Sequence, residues 1–225
     1  MKPTAEPLTI RINEEQRISG LLLKPAKATA CLVFAHGAGA GMKHAFMAAF
    51  AEGLAERGVA TLRYQFPYME NGSKRPDAPK VAHSAVRATT AEALRRFPQL
   101  SLIAGGKSFG ARMTSQAQAL APLSGVVGLA FVGFPLHPAG KPAVDRADHL
   151  KEVSIPMLFL QGTRDELAAL QLLQPVVKEL GPLVTLTLIE DADHSFHVRA
   201  RSGQTDSQAM SAMLYAFGEW AARLT

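Results

Sequence analysis

Cysteine is nearly absent from this chain of 225 residues: Cys31 is the only one. No disulfide can form within the chain, and no multi-cysteine metal site is possible. Cys31 lies in the apolar run Ala30-Cys31-Leu32-Val33-Phe34-Ala35, where a buried, inert thiol is expected. Long apolar runs are also missing, which argues against a membrane-spanning helix. Residues 1–7 are not followed by the apolar stretch of a signal peptide, so a soluble protein of the cytoplasm is the default expectation. Runs of like charge are lacking as well. Lys and Arg number 24 against 19 Asp and Glu, a net charge of +5. The excess is scattered, which disfavours nucleic acid as a partner. With 48% hydrophobic residues the chain has ample material for a core.

Short apolar strands alternate along the chain with longer amphipathic or alanine-rich segments. That alternation predicts an α/β protein, a mostly parallel sheet with helices on both faces. Residues 8–12 and 17–23 read as an antiparallel hairpin at one edge. Further strands are expected at 30–35, 59–64, 100–104, 126–134, 157–161 and 184–189. Helices are expected at 43–57, 81–97, 111–120 and 167–180, the last interrupted or kinked by Pro175. A closing helix over 207–224 carries an apolar stripe of Met210, Met213, Leu214, Phe217, Ala221 and Leu224. No linker divides the chain, so one domain over 1–225 is expected. Residues 68–79 form a polar loop, the one candidate for a partial cover.

Gly106-Lys107-Ser108-Phe109-Gly110 matches G-x-S-x-G. A serine at a sharp strand-to-helix turn projects its hydroxyl from the sheet, and the tight turn demands small residues two before and two after it. The motif alone is weak, but an apolar strand enters it and a helix-capable segment leaves it. A phosphate loop is disfavoured, because Ser101 stands where that pattern needs its first glycine. The amide after the serine, that of Phe109, begins a helix and can donate to an oxyanion. A second donor fits in His36-Gly37-Ala38-Gly39-Ala40-Gly41: Ala38 N–H, with Gly37 or Gly39 as alternatives. The same glycines resemble a dinucleotide fingerprint only superficially, since no acid follows the next strand at Arg63, Tyr64 or Gln65. His36, deep at a strand end, reads as structural.

Asp165 follows the strand 157–161, where sites form in open α/β sheets. Its plain alternative is a helix N-cap. Of seven histidines, only His194 and His197 follow the last strand. Ser108, Asp165 and His194 each follow their own strand, in the chain order serine, acid, histidine. His197 is the reserve base, and Asp145 and Asp148 are the reserve acids. Phe66, Tyr68, Leu136, His137 and Phe196 fall on loops at the same sheet edge and are expected to line a mostly apolar substrate pocket. Lys107 and Arg112 read as structural.

These stretches, together with Phe134-Pro135-Leu136-His137-Pro138, resemble a branch of small α/β-hydrolases. The branch includes bacterial proteins related to dienelactone hydrolases and a eukaryotic subunit of a chromatin acetyltransferase complex. The resemblance implies an eight-stranded sheet with little or no cap, and Ser108, Asp165 and His194 at the triad positions. It departs from true dienelactone hydrolases, whose nucleophile is cysteine. A serine hydrolase acting on a small ester or related acyl substrate is expected, without metal or organic cofactor. The rival expectation is a binding module that keeps the scaffold without catalysis.

Overall fold

In the computed structural model, residues 3–224 are described. Eight strands form one sheet: β1 Glu6–Arg11, β2 Arg17–Leu23, β3 Ala30–Ala35, β4 Val59–Tyr64, β5 Ser101–Lys107, β6 Val126–Val132, β7 Met157–Gly162 and β8 Val184–Ile189. Their order is β1-β2-β4-β3-β5-β6-β7-β8. β1 pairs antiparallel with β2, and β2 antiparallel with β4; every other pairing is parallel. The carboxyl ends of β3 to β8 therefore meet at one edge, where open parallel sheets build their sites.

The inner strands are apolar at successive positions because both faces are covered. β3 and β4 are buried at all six residues. Cys31, Val33, Ala35, Leu62, Ala104 and Phe131 point into a core shared with helices α3 (Pro79–Arg96) and α4 (Phe109–Leu120). Leu32, Phe34, Ile103, Val132 and Leu160 point the other way, onto α1 (Ala45–Ala55) and α6 (Asp206–Ala221). The closing stripe is buried at Met213, Leu214, Phe217 and Ala221, with Trp220 added to it. A capping box between Thr205 and Gln208 starts α6.

Several expected boundaries move, most of them by a few residues. β5 continues through Lys107 rather than ending at Ala104, and α4 starts at Phe109 rather than Ala111. Glycine is disfavoured in strands, yet Gly105, Gly106 and Lys107 pair with Ala130, Phe131 and Val132. Ser108 is thus the whole connection. The 68–79 loop also differs, because Pro67 opens a one-turn helix, α2 (Pro67–Glu70). Helix α5 (Leu170–Leu180) begins three residues later than expected and runs on through Pro175 undivided.

Gly106 and Gly110 allow this turn by close backbone approach. A β-carbon on Gly110 would lie 2.6 Å from the Ala35 carbonyl oxygen, and one on Gly106 would lie 2.6 Å from Gly110 C and 2.7 Å from Ala35 O. These neighbours are backbone and cannot swing aside. Gly110→Ala should therefore destabilise the protein by about 3 kcal/mol, the upper part of the overpacking range. Thermal unfolding should show this as a fall in Tm of roughly 6–12 °C. An unchanged Tm would mean that β3 and α4 can separate freely.

Candidate active site

Ser108 occupies φ 51°, ψ −114°, a region that a serine rarely adopts. Its N–H donates to the Val132 carbonyl (3.1 Å) and its carbonyl accepts from Arg112 N–H (3.2 Å), so neighbours on both sides hold the strained turn. The hydroxyl oxygen lies 2.8 Å from His194 Nε2. His194 Nδ1 lies 2.7 Å from Asp165 Oδ2. Because a carboxylate only accepts, Nδ1 carries the proton and Nε2 is left to accept from Ser108. The three side chains that the chain order singled out meet in one hydrogen-bonded line.

The Asp165 side chain is fully buried, with His194 one-fifth exposed. Burying a carboxylate requires donors, and three are present. Oδ1 accepts Leu167 N–H at 2.8 Å, and Oδ2 accepts Gln161 Nε2 at 2.5 Å as well as the imidazole. The helix-cap alternative does not hold, because α5 starts only after Ala169. Gln161 went unnoticed in the sequence. It is buried at the end of β7, and its Oε1 accepts Phe134 N–H at 2.9 Å, which ties the β6 and β7 connections to the acid. The one signal was an amide in an otherwise apolar strand.

The reserve groups lie elsewhere. His197 is exposed and pairs with Asp206 at 2.9 Å. Asp145 and Asp148 belong to the 3-10 helix Asp145–Glu152. Asp193 shapes the His194 loop from within, its Oδ1 accepting from Ser195 N–H and His197 N–H. Asp191 is engaged by Arg199 and Arg164.

The turn after β3 packs against the serine: a β-carbon on Gly37 would be 3.7 Å from Ser108 Cβ. His36 is fully buried and its pKa is pushed down to about 4 by that burial. Kept neutral, it accepts Phe66 N–H at Nε2 (3.1 Å). The Tyr68 hydroxyl accepts Gly39 N–H at 3.1 Å. Ala38 is exposed, and among the described residues its N–H meets no acceptor. Phe109 N–H, first in α4, has no acceptor within its helix either.

The five residues expected to line a pocket are all buried: Phe66, Tyr68, Leu136, His137 and Phe196 expose at most 3%. Phe66 stands edge-on to Phe109, with centroids 5.3 Å apart. His137 accepts Ala169 N–H at Nε2 and braces the segment after Asp165. Phe196 stacks on Phe46. Apolar loop residues look alike in sequence whether they touch substrate or only each other. Among the described residues, no three or more His, Cys, Asp or Glu side chains group as metal ligands would, and no helix is long and apolar enough to cross a membrane.

Comparison with known proteins adds to this geometry. Residues 28–222 match the model of a family described as "Alpha/beta hydrolase domain". The fold is similar to a dienelactone hydrolase from Anabaena variabilis, with TM-score 0.79, 22% identity and 99% of each chain covered. It is also similar to a Xanthomonas campestris protein described as an α/β serine hydrolase without a lid (TM-score 0.73, 20% identity, 96% of this chain and 94% of that one). A third likeness is to the esterase domain of a Rhodothermus marinus protein (TM-score 0.74, 16% identity, 98% of each chain). At such identities the likenesses speak for the fold.

Proposed function

The chain belongs to the alpha/beta hydrolase domain family, and from that premise we propose that it is a serine hydrolase cleaving a small ester or related acyl substrate. The observation that carries the reading is the unbroken line from Ser108 Oγ through His194 to the buried Asp165, at 2.8 and 2.7 Å. Both distances fall within the range of general-base transfer.

In this reading His194 Nε2 takes the Ser108 proton as Oγ bonds to the acyl carbon, and the carbonyl π electrons move onto oxygen. Phe109 N–H and Ala38 N–H receive that oxyanion. In known systems the loss of one such donor costs roughly 3–4 kcal/mol of transition-state stabilisation. As the tetrahedral species collapses, the bond to the leaving group breaks and the imidazolium returns its proton to that group. Water, deprotonated by His194, then attacks the acyl-serine; the Ser108 oxygen leaves, reprotonated, and the acid product departs. Asp165 keeps Nδ1 protonated and stabilises the imidazolium. Two readings of the sequence thus gain separate roles here: Ala38 and Phe109 as donors, and Tyr68 as the brace of the donor loop rather than a substrate contact.

A fluorophosphonate probe tests the proposal. The protein should gain one covalent adduct, and peptide mass spectrometry should place it on Ser108. Short-chain p-nitrophenyl esters should be turned over, and prior labelling should stop that turnover. No adduct together with no turnover across esters, thioesters and amides would leave the non-catalytic binding module as the better account.

A further inference from the structure

Lys107 stands just before the serine, at a position the G-x-S-x-G motif leaves open. Its ammonium nitrogen lies 2.6 Å from the backbone carbonyl of His194. The same nitrogen stands 5.0 Å from the ring centroid of Phe46 and 4.9 Å from that of Phe196. Those rings are themselves stacked, with centroids 5.8 Å apart. A carbonyl oxygen and two π faces match the three donors of an ammonium. Phe196 sits at φ 64°, costly for a bulky residue, so its backbone depends on what its ring touches.

The other ties on this connection differ in reach. The Asp193 bonds lie inside it, and Thr163 and Arg164 fasten its beginning to the end of β7. Lys107 fastens residue 194 itself to the strand that delivers Ser108. We propose that Lys107 is a positioning residue for the base: its ammonium grips the His194 carbonyl between two aromatic rings and so sets the imidazole at reach of Ser108. The inference rests on the serine-hydrolase reading above.

Burial lowers the Lys107 pKa to about 8, although Asp165 and Asp193 draw it upward. The titratable groups facing it are Asp165 from the β7–α5 connection and Asp193 and His194 from the β8–α6 connection; α1 presents Phe46. Below about pH 8 the clamp is charged. Above it, the neutral amine loses the cation–π attraction and the charge-assisted bond, and kcat should fall. Folding stability should move the other way. The unfolded lysine keeps its proton up to about pH 10.5, so across that window the unfolded state binds more protons and stability rises with pH. A lysine that served stability alone would make activity follow stability.

Wild type, Lys107→Met and Lys107→Arg should be compared from pH 6 to 10 by p-nitrophenyl acetate hydrolysis, fluorophosphonate labelling rate and amide exchange over residues 190–198. A small misplacement of a reacting group costs up to roughly 100-fold, so Lys107→Met should lose about 10–100-fold in kcat with little change in KM. Its profile should lack the fall near pH 8, and exchange over 190–198 should quicken. Lys107→Arg should recover most of kcat and carry the fall beyond pH 10. Wild-type kcat and unchanged exchange in Lys107→Met would overturn the proposal. Should that variant not fold, a wild-type profile whose fall does not move in Lys107→Arg overturns it equally. A wild type inert to ester and probe would sink the hydrolase reading, and the exchange comparison would still decide whether Lys107 holds the loop.

Discussion

Ser108→Ala and His194→Ala should each lower kcat by about 10⁶-fold, and the double variant should be no slower than either one alone. The non-additivity is the sharper part of this expectation. A hydroxyl with no base beside it is a poor nucleophile, and a base with no hydroxyl has nothing to activate. Removing either member therefore removes the same step. The small residual rate would belong to the Phe109 and Ala38 amides and to substrate binding. Neither variant should lose much stability, since both side chains lie at least partly in contact with solvent. Steady-state kinetics on the three variants, with thermal melts as control, would decide. Losses that simply multiply in the double variant would show that the two side chains act independently, and the proposed relay would fall.

Asp165→Asn should cost about 10⁴-fold in kcat, the scale seen when the acid of such a relay becomes an amide. The surroundings of Asp165 explain why an amide is a poor substitute. Three donors converge on its carboxylate: His194 Nδ1–H and Gln161 Nε2 at one oxygen, and Leu167 N–H at the other. An asparagine always turns its NH₂ toward a donor. Facing the imidazole, it would favour the wrong tautomer. Facing Leu167, it would leave a partly buried N–H unmatched, at about 1–3 kcal/mol. Either way the charge opposite the developing imidazolium is lost. Wild-type turnover in this variant would show that the charge of Asp165 is not needed, and the proposed relay would lose its acid.

The line of three groups was legible in the sequence because parallel strands deliver their carboxyl ends to one edge. Ser108, Asp165 and His194 each come directly or within a few residues after such an end. The layers were legible too, since β3 to β7 are mostly apolar on both faces and the closing helix carries a stripe. What stayed hidden was settled by packing. Gly105 and Gly106 extend β5 because neighbouring backbones press within reach of their missing β-carbons, a tertiary effect that overrides propensity. Gln161 gave no pattern, since one amide in an apolar strand has no period. Phe66 and Leu136 follow β4 and β6 at the carboxyl edge, and only their coordinates show that both are fully buried. Lys107 occupies a position the motif leaves free, so nothing in the spacing marks it.

Serine is among the best residues for closing the amino end of a helix, and Ser108 occupies that place in α4 without doing so. Its oxygen is turned to the imidazole, and the first amides of the helix are left bare. The chain thus forgoes roughly 1 kcal/mol of ordinary capping at the spot where the proposed hydrolase would use bare amides. Thermostabilising redesign guided by helix-end statistics would single out this turn for repair. If the protein is the serine hydrolase proposed above, such a repair would yield a sturdier protein with a quenched centre, and engineering for heat tolerance belongs at the outer sheet edges and on the surfaces of α3 and α6.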